Sequence, residues 1–426
     1  MDYKNRIVDT KLELKLETFG ATLIVGPKGC GKTTTAKHRA KSVVEFQDEN
    51  ERENNLQIAN THPSDLLKGE KPRLFDEWQD APKIWGAVRK SVDDEQETGL
   101  YILTGSTSNG AETPHTGTLR ISRMKMLPMS LYESGESNGE ISLIELFNNP
   151  ESFESCHSDI TFDELKFLIC RGGWPLSIRQ KTERSALAVA KDLFLQTCEV
   201  DISNIDGTKR NPRTARTFLK SYARNICTLA ETNTILNDIN ANAELSKTTY
   251  YEYLAALENL FIIEDVDAWN SSIRSKFSLR STAKRNIVDP SIAAAALSIS
   301  PEYFDRDYRT LGFLFESLCI RDLKIYSSNN DGQISYYRDR SKLEADVVLH
   351  LEDGRYALIE VKLGQNEVDK AAEHLCQIEN KIKKYNNENP EKAVSLPNLK
   401  IIITGTQYGY RRDDGVFVIP IGCLKD

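Results

Sequence analysis

Gly26-Pro27-Lys28-Gly29-Cys30-Gly31-Lys32-Thr33 follows directly on the apolar run Ala21-Thr22-Leu23-Ile24-Val25 and precedes a helix-forming stretch, Thr34 to Val44. A strand, a glycine-rich loop and a helix in that order are the context that turns a motif match into a phosphate site. The glycines let backbone N–H groups converge on anionic oxygens. Lys32 is placed to reach the β/γ oxygens, and the Thr33 hydroxyl to sit on Mg²⁺. The expected cofactors are therefore ATP and Mg²⁺, with Gly26 through Thr34 as the nucleotide-binding segment.

Such a loop needs an acidic strand end to hold the metal and orient water, and Leu74-Phe75-Asp76-Glu77 supplies one. Asp76 is the expected Mg²⁺ partner and Glu77 the base that orients or polarises water. We place this strand one β-α-β step past the loop. The next apolar run, Leu100 to Leu103, ends in Thr104-Gly105-Ser106. In an AAA-type sheet it lies between the loop strand and the acidic strand and aims Thr104 or Ser106 at the γ-phosphate. The plainer alternative is an ordinary strand cap. Beyond it, His115 to Arg123 leads into an expected final strand, Met124 to Met129. An arginine just before that strand is where ring-forming ATPases carry the finger that reaches a neighbour's nucleotide. Arg120 is the candidate, Arg123 the second choice, and a plain surface arginine the alternative.

At 426 residues the chain is long enough for several cores. Its 39% hydrophobic and 28% charged residues exclude a disordered or fibrous class. The polar Met1 to Thr10 is no secretory leader, and no run of about 18 apolar residues occurs, so a cytoplasmic protein with no membrane partner is expected. Eight scattered cysteines without a CxxC pair read as reduced thiols. Cys156-His157 is a lone Cys/His neighbour pair, which does not suggest a metal site. The net charge of −8 hides two acid-free basic stretches. One is Gly207 to Ala230, with Lys209, Arg210, Arg213, Arg216, Lys220 and Arg224. The other is Ala268 to Val288, with Arg274, Lys276, Arg280, Lys284 and Arg285. They read equally as solvated faces or as phosphate-contacting surface.

Several further motifs carry a resemblance: Leu74-Phe75-Asp76-Glu77-Trp78-Gln79, Leu103-Thr104-Gly105-Ser106, Pro128 to Glu136, Arg171-Gly172-Gly173-Trp174-Pro175 and Val288-Asp289-Pro290-Ser291. Through them, and over nearly its full length, the chain resembles bacterial and archaeal ATP-binding proteins. These join an AAA-type ATPase module to a C-terminal domain of unknown function. The resemblance implies an AAA-like fold and a nuclease-like C-terminal core, without a settled substrate.

Ile141 to Phe147, Asp163 to Ile169 and Ala186 to Cys198 read as amphipathic helices of a lid, interrupted by the turn Arg171 to Pro175. Ser246 caps a helix that runs into Leu260 to Val266, an alternation compatible with a strand. Helices followed by such a wing describe a winged helix, with Lys247, Thr248 and Tyr251 facing phosphates if it binds DNA, though winged helices also bind protein. In the C-terminal part, the strands Ala345 to Leu349 and Tyr356 to Lys362 put Asp346, Glu360 and Lys362 on one face. This is the D…ExK arrangement of restriction-endonuclease-like folds, with Asp346, Glu360 and Glu316 as Mg²⁺ ligands and Lys362 beside the attacking water.

The expected fold class is α/β: an AAA-type P-loop core (1–138), a helical lid (139–205), a winged-helix segment (206–288) and a PD-(D/E)xK nuclease-like domain (289–426). The leading functional expectation is an ATP-hydrolysing homo-oligomer, a hexameric ring, acting on branched or duplex DNA by branch migration, unwinding or gated cleavage, as in Holliday-junction processing. The competing one is a nucleotide-dependent switch that gates a protein–protein contact.

Overall fold

The computed structural model describes residues 3–106, 117–241, 244–269, 281–339 and 341–426. The chain divides into two compact units. The first comprises residues up to 128 with 201–209 and 255–262, and the second comprises 129–200, 210–254 and 263–426.

The first unit is built on a five-stranded sheet: β1 (Ala21–Val25), β2 (Ser42–Glu45), β3 (Arg73–Asp76), β4 (Tyr101–Gly105) and β5 (Ile121–Lys125), ordered β2-β3-β4-β1-β5. All neighbours are parallel. β1 and β4 are buried at every position, as central strands covered on both faces must be. β4 lies between β1 and β3, so the polar tips of three strands meet at one edge of the sheet. Phe75, Trp78, Ile84, Trp85, Val88, Tyr101 and Leu103 form much of the core. Each such side chain is worth roughly 1.5–3 kcal/mol of burial.

Three details differ from the sequence reading. The helix after the glycine-rich loop runs Lys32–Arg39 and stops there, and the β-branched Val43-Val44 belong instead to edge strand β2. That strand puts the acidic β3 one unit further along the chain than expected. The last strand begins at Ile121, opposite Ala21, and ends at Lys125.

The second unit contains a seven-stranded mixed sheet. Its strands are β7 (Ser155–His157), β8 (Gln333–Arg338), β9 (Glu344–His350), β10 (Tyr356–Lys362), β11 (Leu399–Thr404), β12 (Tyr408–Arg411) and β13 (Phe417–Pro420), ordered β7-β12-β13-β11-β10-β9-β8. β8, β9 and β10 form an antiparallel meander. β10, β11 and β13 are parallel. The helix Val368–Glu388 makes the crossover from β10 to β11 and buries Val368, Ala371, Ala372, Leu375, Ile378 and Ile382, an i, i+3, i+4, i+7 stripe. A second pair, β6 (Ile141–Ser142) with β14 (Leu424–Lys425), ties the chain's last residues to the segment after residue 136.

Segment 139–205 is thus not purely helical: the helices Phe162–Arg171 and Glu183–Gln196 form as expected, but β6 and β7 belong to sheets. The helices Pro212–Arg224, Thr232–Asn240 and Lys247–Asn259 also form, with Ser246 Oγ accepting from Thr249 N at 3.1 Å. The expected strand at 260–266 reduces to the isolated bridges Ile263↔Ile287 and Val266↔Lys284, after Phe261 takes a left-handed φ of 58°. Arg274, Lys276, Arg280, His115 and Thr116 lie outside the described residues.

The glycine and aspartate motifs of 171–175 and 288–291 turn out to build a buried polar knot. Asp289 accepts from Gly173 N at 2.9 Å and from Arg321 at 2.8 Å, and it caps the helix Pro290–Leu297 through Ser291 N at 3.0 Å. Trp174 Nε1 donates to Ser291 Oγ at 2.9 Å. A Cβ at Gly173 would stand 2.0 Å from the main-chain oxygen of Met129, which excludes any other residue there.

Candidate functional site

The loop between β1 and the helix at Lys32 is shaped by its glycines. Gly29 and Gly31 have φ of 77° and 105°, and a Cβ on Gly26 would lie 2.1 Å from Met126 O. Arg6, which the sequence reading missed, braces the loop from beneath by donating to Cys30 O at 3.0 Å and Leu127 O at 2.9 Å. The Cys30 thiol is buried and directed at Met126 O, 3.6 Å away. Lys28 stands at the exposed tip, paired with Asp201 at 2.6 Å. Lys32 is 5% exposed and folded over the loop, its Nζ donating to Gly26 O and Pro27 O at 2.9 Å each. Thr34 is exposed on the first helical turn.

The acidic strand end meets this loop as the spacing required. Thr33 Oγ1 donates to Asp76 Oδ1 at 2.8 Å. A hydroxyl and a carboxylate oxygen side by side are a donor set suited to a hard cation such as Mg²⁺. Thr104 is fully buried; its hydroxyl donates to Asp76 Oδ1 at 2.6 Å and accepts from Glu77 N at 3.0 Å. Its one proton is therefore committed to Asp76, so it orients the acidic pair and has no donor left for a phosphate. Ser106 likewise donates to Glu77, at 2.9 Å, and Gln79 donates to the other Glu77 oxygen. Glu77 sits at φ 52°, ψ 52°. A non-glycine residue in that region costs about 1–3 kcal/mol, a strain found mostly where function needs a side chain held.

Arg120 and Arg123 are not brought to this loop. Arg120 lies level with Gly20, before the first residue of β5, and pairs with Asp93 at 2.7 Å on the surface. Arg123 is exposed in mid-strand opposite Leu23. Both therefore stand back from the strand ends that carry the chain's own phosphate site.

The second unit gathers the other predicted set. Asp346 on β9 accepts from Val361 N at 2.8 Å and pairs with Lys362 at 3.1 Å, while Lys362 pairs with Glu360 at 2.6 Å. His374, from the crossover helix, stands 3.7 Å from Glu360. Burial, helped by neighbouring Asp346, pushes the Glu360 carboxyl up to about 8. Asp346 is held below its usual range: burial acts the other way, but Lys362 and Lys284 outweigh it.

Glu316, on the helix Tyr308–Tyr326, does not join the two carboxylates closely. Among the described residues, no group of three donors within 4.8 Å of one another includes Glu316, Asp346 and Glu360. Lys284 explains this. It is 1% exposed, donates to Glu316 at 2.6 Å and to Asp346 O at 3.0 Å, and lies 3.7 Å from Glu344. Burial still pushes Glu316 up to about 7.

Lys284 and Arg285 are therefore not surface bases. Arg285 is buried against Asp265, 2.7 Å away. Arg210 is buried as well. Arg213, Lys220 and Arg224, by contrast, are exposed at i, i+7 and i+11 along one face of the helix Pro212–Arg224. Lys247, Thr248 and Tyr251 are exposed.

These features define an AAA-type P-loop ATPase module in the first unit. The comparisons agree: residues 18–135 match a family described as an AAA domain. Residues 162–303 and 311–424 match two families described as domains of unknown function, DUF8612 and DUF4143. No curated protein matches the chain. Among solved structures, a Walker-type ATPase of Pyrococcus abyssi is similar at 14% identity and a TM-score of 0.41, over 69% of this chain and 96% of that one. Among the described residues no helix is long and apolar enough to cross a membrane.

Proposed function

We propose that ATP turnover at this module drives action on DNA, and that the Asp346–Glu360–Lys362 site contacts the DNA backbone with a divalent ion. In the first unit Lys32 holds phosphate oxygens, Thr33 and Asp76 hold Mg²⁺, and Glu77, oriented by Ser106 and Gln79, positions the attacking water. Bound Mg²⁺ supplies charge neutralisation on the transferring phosphoryl group. The position of Arg120, away from its own loop, supports a role toward a neighbouring copy in a ring, where it would stabilise charge on that copy's nucleotide.

The observation that carries the DNA reading is the convergence of Asp346, Glu360 and Lys362. Two strands present two carboxylates and a lysine on a partly exposed face, where packing alone favours apolar side chains. The basic stripe of Arg213, Lys220 and Arg224 supports it by offering phosphate contacts. Lys284, by holding Glu316, supports a one-ion site formed by Asp346 and Glu360.

Filter binding of duplex and four-way DNA across a salt series tests the reading. Each neutralised phosphate contributes a slope of about −0.9 to log K against log salt. Charge removal at Arg213, Lys220 and Arg224 together should make the slope shallower by about 2–3. Binding that ignores salt and these substitutions would favour the second reading, a nucleotide-gated protein contact.

A further inference from the structure

Three segments remote in sequence bring soft and hard donors together in the second unit, away from the carboxylate–lysine site. Cys156 lies in the middle of β7, Cys423 ends the turn Ile421–Cys423, and Glu140 immediately precedes β6. Their ligating atoms all lie within 4.8 Å of one another, the one such trio of His, Cys, Asp or Glu among the described residues. Both thiols are buried and Glu140 is exposed. A single tetrahedral ion of the zinc type binds sulfur at about 2.3 Å and carboxylate oxygen at about 2.0–2.2 Å, so its ligands stand within about 4 Å of one another. The observed grouping requires only a small contraction.

The surrounding backbone fixes the donors. Asn138 N donates to Gly422 O at 3.0 Å, Ser137 Oγ to Leu424 O at 2.6 Å, and Asn138 Nδ2 to His157 O at 2.7 Å. His157 N donates to Glu140 Oε2 at 3.0 Å, which orients the carboxylate and leaves Oε1 for another partner. Opposite Cys156, Gly409 is packed so closely that a Cβ would stand 2.4 Å from the sulfur, which holds the thiol in place. The His157 ring is turned elsewhere, against Tyr408. Two buried thiols and an exposed carboxylate thus face one another, all three ligating atoms within 4.8 Å.

We propose that Glu140, Cys156 and Cys423 bind one thiophilic divalent cation of the zinc class, with water from the exposed Glu140 side as fourth ligand. As each metal–sulfur bond forms, the thiol's proton passes to solvent, so two protons are released per ion and no oxidant is consumed. The ion would staple the chain's last strand to the segment 137–144, reinforcing the β6–β14 pairing.

Cobalt(II) titration of the reduced, chelator-treated full chain tests this, with excess Mg²⁺ present to fill carboxylate-only sites. We expect one Co²⁺ per chain with a thiolate-to-cobalt charge-transfer band. The band should disappear in Cys156→Ser and in Cys423→Ser. The exposed Glu140→Gln leaves both thiols in place and should weaken affinity tenfold or more while circular dichroism stays unchanged. The proposal is overturned if the wild-type chain shows no charge-transfer band, if the band survives Cys423→Ser, or if Glu140→Gln binds as tightly as wild type. Mass spectrometry showing a Cys156–Cys423 disulfide in metal-supplemented protein would also overturn it, in favour of a redox pair.

Discussion

Replacing Lys284 by methionine perturbs the buried charge behind the C-terminal carboxylates with little change in side-chain volume. The lysine ammonium lies 2.6 Å from Glu316 and 3.0 Å from Asp346 O. Methionine fills the space of the stem but leaves Glu316 buried without its cation and the Asp346 carbonyl without that donor. Breaking one partner out of a buried pair costs about 3–5 kcal/mol, because the remaining charge stays desolvated. The double variant Lys284→Met with Glu316→Gln removes both charges and should regain most of that loss. The sign with pH follows from Glu316, which burial pushes up to about 7 from an ordinary 4.5. An acid whose folded pKa is raised binds its proton more tightly in the native state. Its stabilising contribution is therefore full below the unfolded value and fades as pH rises through about 7. Without Lys284 the carboxyl titrates higher still, so the single variant's deficit is greater above pH 7 than below it. Urea denaturation at pH values on both sides of 7 reads all three quantities. A single variant within about 1 kcal/mol of wild type, or a double variant no better than the single one, would refute the reasoning.

Lys32→Ala should abolish ATP hydrolysis, whereas Glu77→Gln should keep nucleotide binding and lose about 10²–10⁴-fold in turnover, measured by phosphate release. Near wild-type turnover in Glu77→Gln would remove that residue from the role of base. If Arg120 acts on a neighbour's nucleotide, mixing Arg120→Ala with Lys32→Ala subunits should restore activity that neither has alone. Co-assembly without rescue would make Arg120 structural. Calorimetry should show Mn²⁺ affinity in the second unit rising with pH up to about 8, as Glu360 loses the proton that burial and Asp346 favour, and vanishing in Asp346→Ala. Affinity independent of pH would mean that Glu360 does not ligate.

The phosphate loop was legible because its geometry leaves few residue choices: Gly26, Gly29 and Gly31 each occupy backbone that a Cβ would strain or block. Glu360 and Lys362 were legible through the two-residue repeat of a strand, and Asp346 through its place on the neighbouring strand of the hairpin. Arg6 and Lys284 were not, since each enters its site through tertiary packing that no local pattern encodes. The same limit misled the reading of charge: Arg210, Lys284 and Arg285 look like surface bases in sequence and are buried in the fold. Thr104 was placed correctly at the strand tip, but its hydroxyl serves Asp76 and Glu77, a choice fixed by β3 lying beside β4. β7 went unnoticed because three residues, Ser155-Cys156-His157, carry no usable alternation. The meeting of Cys156 with Cys423 follows from that strand and was invisible for the same reason.

Steady-state ATP turnover of the purified full chain, with and without linear, forked and four-way DNA, tests the coupling of the P-loop module to DNA most directly. Turnover should depend on Lys32 and should rise severalfold with at least one of these DNAs, an increase that fades as salt is raised. Turnover that is the same with every DNA and without any, at low salt and with the protein assembled, would contradict it.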